Sequence, residues 1–311
     1  MSRTLIFGFA AVVLSVVAAD ERRAPRPQFS EGQLRGVFFE KLDDAFRGQR
    51  PSLSSIRKSA QVAPVAAAGQ STGGGSSDAD GKDVWSPLIG PASLEDEVKR
   101  LRLHYDSVVT TPGAFNSGGY QDARLDLTAL ASLFAVINEH GGEVRWKDQA
   151  AVARDLIART AFNCKAGSTQ VYNEAKLRKA DLQDLVSGTG ITGRESDPDT
   201  DWTMIADRSP MMEYAELLVE SLDEVTRNEG TAKTEVDSVR RNAELLAMVA
   251  EIFTREGMDE ADDEDYVKLS HAMRDVAKTV VAAIDRSDWE SVTAGASLIR
   301  QRCDACHEEY R

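Results

Sequence analysis

The stretch Trp289-Glu-Ser-Val-Thr-Ala-Gly-Ala-Ser-Leu-Ile-Arg-Gln-Arg-Cys303-Asp-Ala-Cys306-His307-Glu-Glu-Tyr310-Arg311 runs to the last residue of the sequence. Its inward candidates are Trp289, Val292, Ala296, Ile299, Cys303, Cys306/His307 and Tyr310, which recur at alternating steps of three and four. That period lays them along one stripe of a helix, the narrow seam of a left-handed bundle. Ser287, with Glu290 three residues later, reads as a capping box that opens this helix. The same alternation appears upstream at Met211, Ala215, Leu218, Leu222 and Val225. It returns at Val236, Val239, Ala243, Leu246, Ala250 and Phe253, and again at Tyr266, Leu269, Met273, Val276, Val280 and Ala283. Gly230 and Gly257 sit where C-terminal caps belong, and Asp262 is placed to start the third helix. An antiparallel four-helix bundle over residues 202–311 is predicted.

Residues 84–188 predict a second helical bundle, without a cofactor motif. Ser93, with Asp96 after it, opens its first helix; Pro112 and Gly118-Gly119 break the pattern. Further helices are expected from about Asp122 to His140, from Arg145 to about Cys164, and from Gly167-Ser168 to near Val186. The segment Ser187–Asp201, rich in Gly, Thr and Asp and carrying Pro198, is the expected domain boundary. Hydrophobic residues make up 42% of the chain, enough for packed cores, while aromatics at 6% argue against a β-sandwich. The expected fold class is all-α, with two consecutive antiparallel helical bundles.

The beginning of the sequence has a different character. Arg3, the apolar run Leu5–Val17 and the small residues Ala18-Ala19 have the layout of a secretory signal peptide over residues 1–19. A retained anchor is the competing reading, but the run is shorter than the ~20 apolar residues that span a bilayer. An exported, periplasm-type location without a stable membrane span after cleavage is expected. Within 20–83, Leu34, Phe38, Leu42 and Phe46 mark a short amphipathic helix from Ser30 to Arg47. A low-complexity Ala/Pro and Gly/Ser linker follows. The formal charge of −14 excludes nucleic acid as a natural partner; it either steers toward basic proteins or serves solubility alone.

The chain has three cysteines, two of them paired locally in Cys303-Asp-Ala-Cys306-His307. Cys-x-x-Cys-His is the spacing of c-type haem attachment. Thiols one helical turn apart reach the two vinyl groups of one porphyrin, and the adjoining imidazole becomes an axial ligand. A redox dithiol would need a strand-to-helix setting, and a zinc site a second ligand pair, which His104, His140 and His271 do not supply. One covalently attached haem c is therefore expected. Cys164, followed by Lys165-Ala166-Gly167, reads as a buried thiol. His104 and His140 read as surface residues, His271 as solvated, and the acidic run Asp259–Asp265 as an exposed helix start.

Four helices ending in Cys303-Asp-Ala-Cys306-His307-Glu-Glu-Tyr310-Arg311 resemble the class II cytochromes c, the cytochrome c-prime family, over roughly residues 202–311. The resemblance implies a haem-binding four-helix bundle with His307 as proximal ligand. It also implies an arginine near the haem and, four residues on, the side chain over the other iron face; Arg208 and Met212 match those positions. Methionine there implies a six-coordinate electron carrier and not an enzyme, working with a redox partner protein of unknown identity. An open, five-coordinate iron that binds nitric oxide or carbon monoxide, as a sensor or carrier, is the alternative, and a scaffolding role is a third. Ser209-Pro210 also reads as an N-cap and first helical residue. Met211, on the clearer seam, is the other candidate ligand, and both methionines as core filler the remaining one. Arg311 either pairs with a haem propionate or ends in water. The resemblance is compatible with a homodimer.

Overall fold

A computed structural model describes residues 83–191, 195–197 and 199–310, and these belong to one compact unit. The expected signal peptide, the helix Ser30–Arg47, the linker up to residue 82, Pro198 and Arg311 lie outside the described residues. Among the described residues the secondary structure is entirely helical. No helix among them is long and apolar enough to cross a membrane.

Eight helices make the body: α1 (Pro91–Val108), α2 (Tyr120–Glu139), α3 (Lys147–Asn163), α4 (Thr169–Ser187), α5 (Arg208–Thr226), α6 (Val236–Ile252), α7 (Glu264–Asp285) and α8 (Trp289–Glu309). Short helical pieces at Pro112–Ala114, Phe115–Gly119, Trp202–Ile205 and Glu229–Thr234 fill the connections. Each set of four long helices closes a ring of neighbours. In the first, α1 meets α2, α2 meets α3, α3 meets α4 and α4 returns to α1; in the second, α5, α6, α7 and α8 do the same.

Helix starts differ from the sequence expectation by one to three residues, and at α7 and α8 the reason is that the capping side chain is a neighbour of the one anticipated. Helix α7 is capped by Asp263, whose carboxylate accepts from the Asp265 and Tyr266 amides. Helix α8 is capped by Asp288, accepting from Ser291 N, while Ser287 takes a left-handed φ of 56° in the turn before it. Helix α1 begins at Pro91 after Gly90, two residues before Ser93. Helix α5 begins at Arg208, so Pro210 falls within the first turn, where its missing N–H costs nothing. Gly230 lies inside the short helix Glu229–Thr234, whereas Gly257 adopts φ 86° in the turn after α6.

The loop between Ser187 and Asp201 separates the two rings along the chain but not in the core. A single apolar cluster runs from Trp85, Tyr105 and Phe134 to Met211, Leu246 and Val292. Helix α2 packs on α5 and α1 on α6, so both sets share one interior. His140, expected at the surface, is buried. Its Nε2 lies 3.0 Å from the Ile89 carbonyl and its Nδ1 3.0 Å from the Gly142 amide, which satisfies both ring nitrogens at the end of α2.

Candidate cofactor site

The apolar stripe of α8 is buried at Val292, Ala296 and Ile299, then leaves the closed core as it reaches the cysteines. Close packing of α8 on α7 sets its position. A Cβ on Gly295 would stand 2.5 Å from Val280 Cγ2, so only glycine allows this approach. The last turn is held at its end by several contacts. The Arg208 guanidinium donates to the Tyr310 carbonyl at 3.1 Å and lies 5.1 Å above the Tyr266 ring. Tyr266 meets Tyr310 edge-to-face at 5.2 Å.

Cys303 and Cys306 are half-buried and His307 is exposed, and all three border one cavity of about 300 Å³. Its apolar walls come from α5 (Met212, Ala215, Val219), from Phe253 after α6, and from α7 (Leu269, Met273). Glu213, Glu216, Arg300, Arg302 and Asp304 supply its charged margin, with Arg300 bound to Asp223 at 2.6 Å. Burial pushes the Cys303 thiol up to about 11, with Asp304 and Cys306 adding to the effect against Arg300. Burial also raises Cys306, opposed by the nearby Arg208. Both sulfurs are therefore protonated at neutral pH, the opposite of the acidified thiolate that a dithiol oxidoreductase needs. Among the described residues, no group of three or more His, Cys, Asp or Glu side chains is arranged to hold a bare metal ion.

The structure brings together residues that the sequence placed far apart. Met212 faces the cavity on α5, and Arg208, one turn earlier, approaches Cys306. Met211 points the other way: it is fully buried, with its sulfur 3.5 Å from the Ser132 hydroxyl, which donates to the Thr128 carbonyl at 2.9 Å. Geometry thus separates two methionines that the sequence left competing, and only Met212 shares the cavity with the motif. Cys164 is buried at the end of α3, where burial pushes its thiol to about 12. His271 is partly exposed, 3.8 Å from the Glu251 carboxylate and outside the cavity. His104 pairs with the buried Asp126 carboxylate at 2.8 Å.

Met273 was not anticipated as a site residue. Its sulfur lies 3.5 Å from the Cys303 sulfur on the cavity wall. As a regular member of the α7 seam it carries no sequence signal that distinguishes it from core. Phe253, likewise a seam residue, lines the same space.

The donor set fits a covalently held haem. Two neutral thiols one turn apart on α8 and an adjoining imidazole face an apolar space, with thioethers from two other helices on its wall and charges at its margin. Comparison with protein-family models, with curated proteins and with solved structures finds no match.

Proposed function

We propose that the protein is an exported mono-haem c-type cytochrome that transfers electrons. Cys303 and Cys306 hold the haem through thioethers, His307 is the proximal ligand, and Met212 is the sixth. The reading takes the two rings of helices as consecutive antiparallel bundles, the second of cytochrome c-prime type, with export resting on residues 1–19. The observation that carries it is the meeting of Met212 with Cys303, Cys306 and His307 around one cavity, although α5 and α8 lie at opposite ends of the second ring's sequence.

The haem supplies one-electron chemistry when bound. The chain's own residues do the rest. Val219, Phe253 and Leu269 keep water from the interior of the cavity, which raises the cost of charge there. Arg208 fixes the end of α8 and brings positive charge toward Cys306, while Arg302 and the Asp223-paired Arg300 bring further positive charge to the margin. The exposed position of His307 leaves an edge of the site open to a redox partner protein. No bond-making step is required, so the protein is read as a carrier and not an enzyme.

The test is an optical spectrum of the haem-loaded protein, oxidised and reduced, with and without carbon monoxide. Sharp low-spin bands, a methionine–iron charge-transfer feature and indifference to carbon monoxide are expected. A broad high-spin spectrum that shifts with carbon monoxide would remove Met212 as a ligand and favour the gas-binding alternative.

A further inference from the structure

Helix α5 carries two stripes that face different parts of the molecule. The front stripe, Arg208, Met212, Ala215 and Val219, turns toward α7, α8 and the cavity. The back stripe begins one residue earlier at every position: Asp207, Met211, Tyr214 and Leu218. One residue is about 100° of helix, so the two stripes are rigidly offset. Every contact that fixes the back stripe also fixes where Met212 points.

The back stripe is gripped by α1, α2 and the turn after α3. The N-cap residue Asp207 is ion-paired with Arg124 of α2, and Lys165 Nζ approaches the same carboxylate at 3.8 Å. The Met211 sulfur packs 3.5 Å from the hydroxyl of Ser132 of α2. The Tyr214 hydroxyl donates to Glu97 of α1 at 2.8 Å, with tyrosine and carboxylate both fully buried. Arg100 also donates to Glu97, at 2.6 Å and 2.9 Å, and Arg241 of α6 stands 3.7 Å away. These side chains are packed or satisfied in directions that allow little rotation or sliding of α5.

From this geometry we infer that α1 and α2 form the back-plate of the cofactor site, and that Tyr214 and Glu97 are positioning residues for Met212. The inference rests on the haem reading above. The cofactor-free half of the molecule then has a defined role, holding α5 in the register that keeps the thioether at the iron. Loosening the back stripe lowers the population with Met212 in place, and an exogenous ligand then competes more easily for that side.

The experiment uses the full-length, haem-loaded protein and the variant Tyr214→Phe, which removes one hydroxyl and keeps the ring. Tyr105→Phe is its control. Tyr105 is equally buried and donates to the Ala175 carbonyl at 2.8 Å, but lies in the first set of helices away from α5. For Tyr214→Phe the account predicts retained covalent haem and helical circular dichroism, a weakened methionine–iron charge-transfer band, and carbon monoxide binding roughly tenfold tighter than in the unsubstituted protein, given the strength of a buried hydrogen bond to a carboxylate. Tyr105→Phe should match the unsubstituted protein in both readouts. If Tyr214→Phe does not accumulate folded, Ser132→Ala, which removes the contact to Met211, is expected to show the same two changes. An unchanged band and carbon monoxide affinity in the folded variant overturns the inference, as does an equal change in Tyr105→Phe. Absence of haem or of the band in the unsubstituted protein instead overturns the underlying reading, and this inference with it.

Discussion

Helices α2 and α8 have similar lengths and opposite surroundings. From Leu125 to Ile137 every residue of α2 is buried, whereas α8 buries only Val292, Ala296 and Ile299. An all-buried helix has found protein on every side, through α1, α3 and α5. Helix α8 continues its apolar stripe past Ile299 into open space at the two cysteines. The same three-four periodicity thus describes both a closed interior and one that opens onto a cavity. What separates the two cases is the chemistry at the stripe's end, where sulfur and imidazole replace hydrocarbon.

The largest effect should come from removing that chemistry. The double substitution Cys303→Ser and Cys306→Ser is expected to abolish haem that survives a denaturing gel, while circular dichroism still reports helix. Retained covalent haem would rule out attachment through these two sulfurs.

The adjacent methionines of α5 should respond in opposite ways. Met211→Ala empties a fully packed position between α2 and α5, and should destabilise the protein by ~2–5 kcal/mol in chemical denaturation. Met212→Ala, at a half-buried position on the cavity, should cost under about 1 kcal/mol but change the haem spectrum. The reverse ranking of stabilities would mean that α5 is rotated from the orientation described.

The closed side carries a pH signature. Burial pushes the Asp126 carboxyl up to about 6, opposed by His104 and Arg100 and aided by Asp122. The folded protein thus holds this proton more tightly than the unfolded chain, whose carboxyl titrates near 3.9. The favourable contribution is complete below pH ~4 and is lost as pH rises through about 6. Stability measured against Asp126→Asn should fall by up to about 3 kcal/mol across that window. A flat difference between the two proteins would show the carboxyl to be better solvated than its packing indicates.

A modest loss of stability is expected at the contact that seats α8. Gly295→Ala forces Val280 to move, and overpacking of this kind costs ~1–3 kcal/mol. Alanine's better helix propensity returns roughly 1 kcal/mol of that. A net loss of about 1 kcal/mol in thermal or chemical unfolding is expected.

Much of this architecture was legible in the sequence, because long helices write their buried faces as a regular period. All eight long helices were anticipated, with ends off by a few residues where Asp263 and Asp288 cap in place of their neighbours. The shared core was not legible: periodicity finds the stripe facing a helix's own ring, but not the second stripe by which α2 meets α5. The same blindness hid the burial of His140, whose partners are backbone groups. At the site, the cysteine–histidine spacing stood out, whereas Met273 and Phe253 looked like any other seam residue. Choosing between Met211 and Met212 required knowing which side of α5 faces α2, and that orientation is tertiary information.

The cavity bordered by Cys303, Cys306 and His307 is proposed to take a covalently bound haem. The most direct measurement is the intact mass and absorption spectrum of the full-length chain made in a host that attaches c-type haem. A denatured mass increased by one haem and the spectrum of a haem joined through two thioethers are expected. The bare mass of the chain, from a host shown to load another c-type cytochrome in parallel, would contradict it.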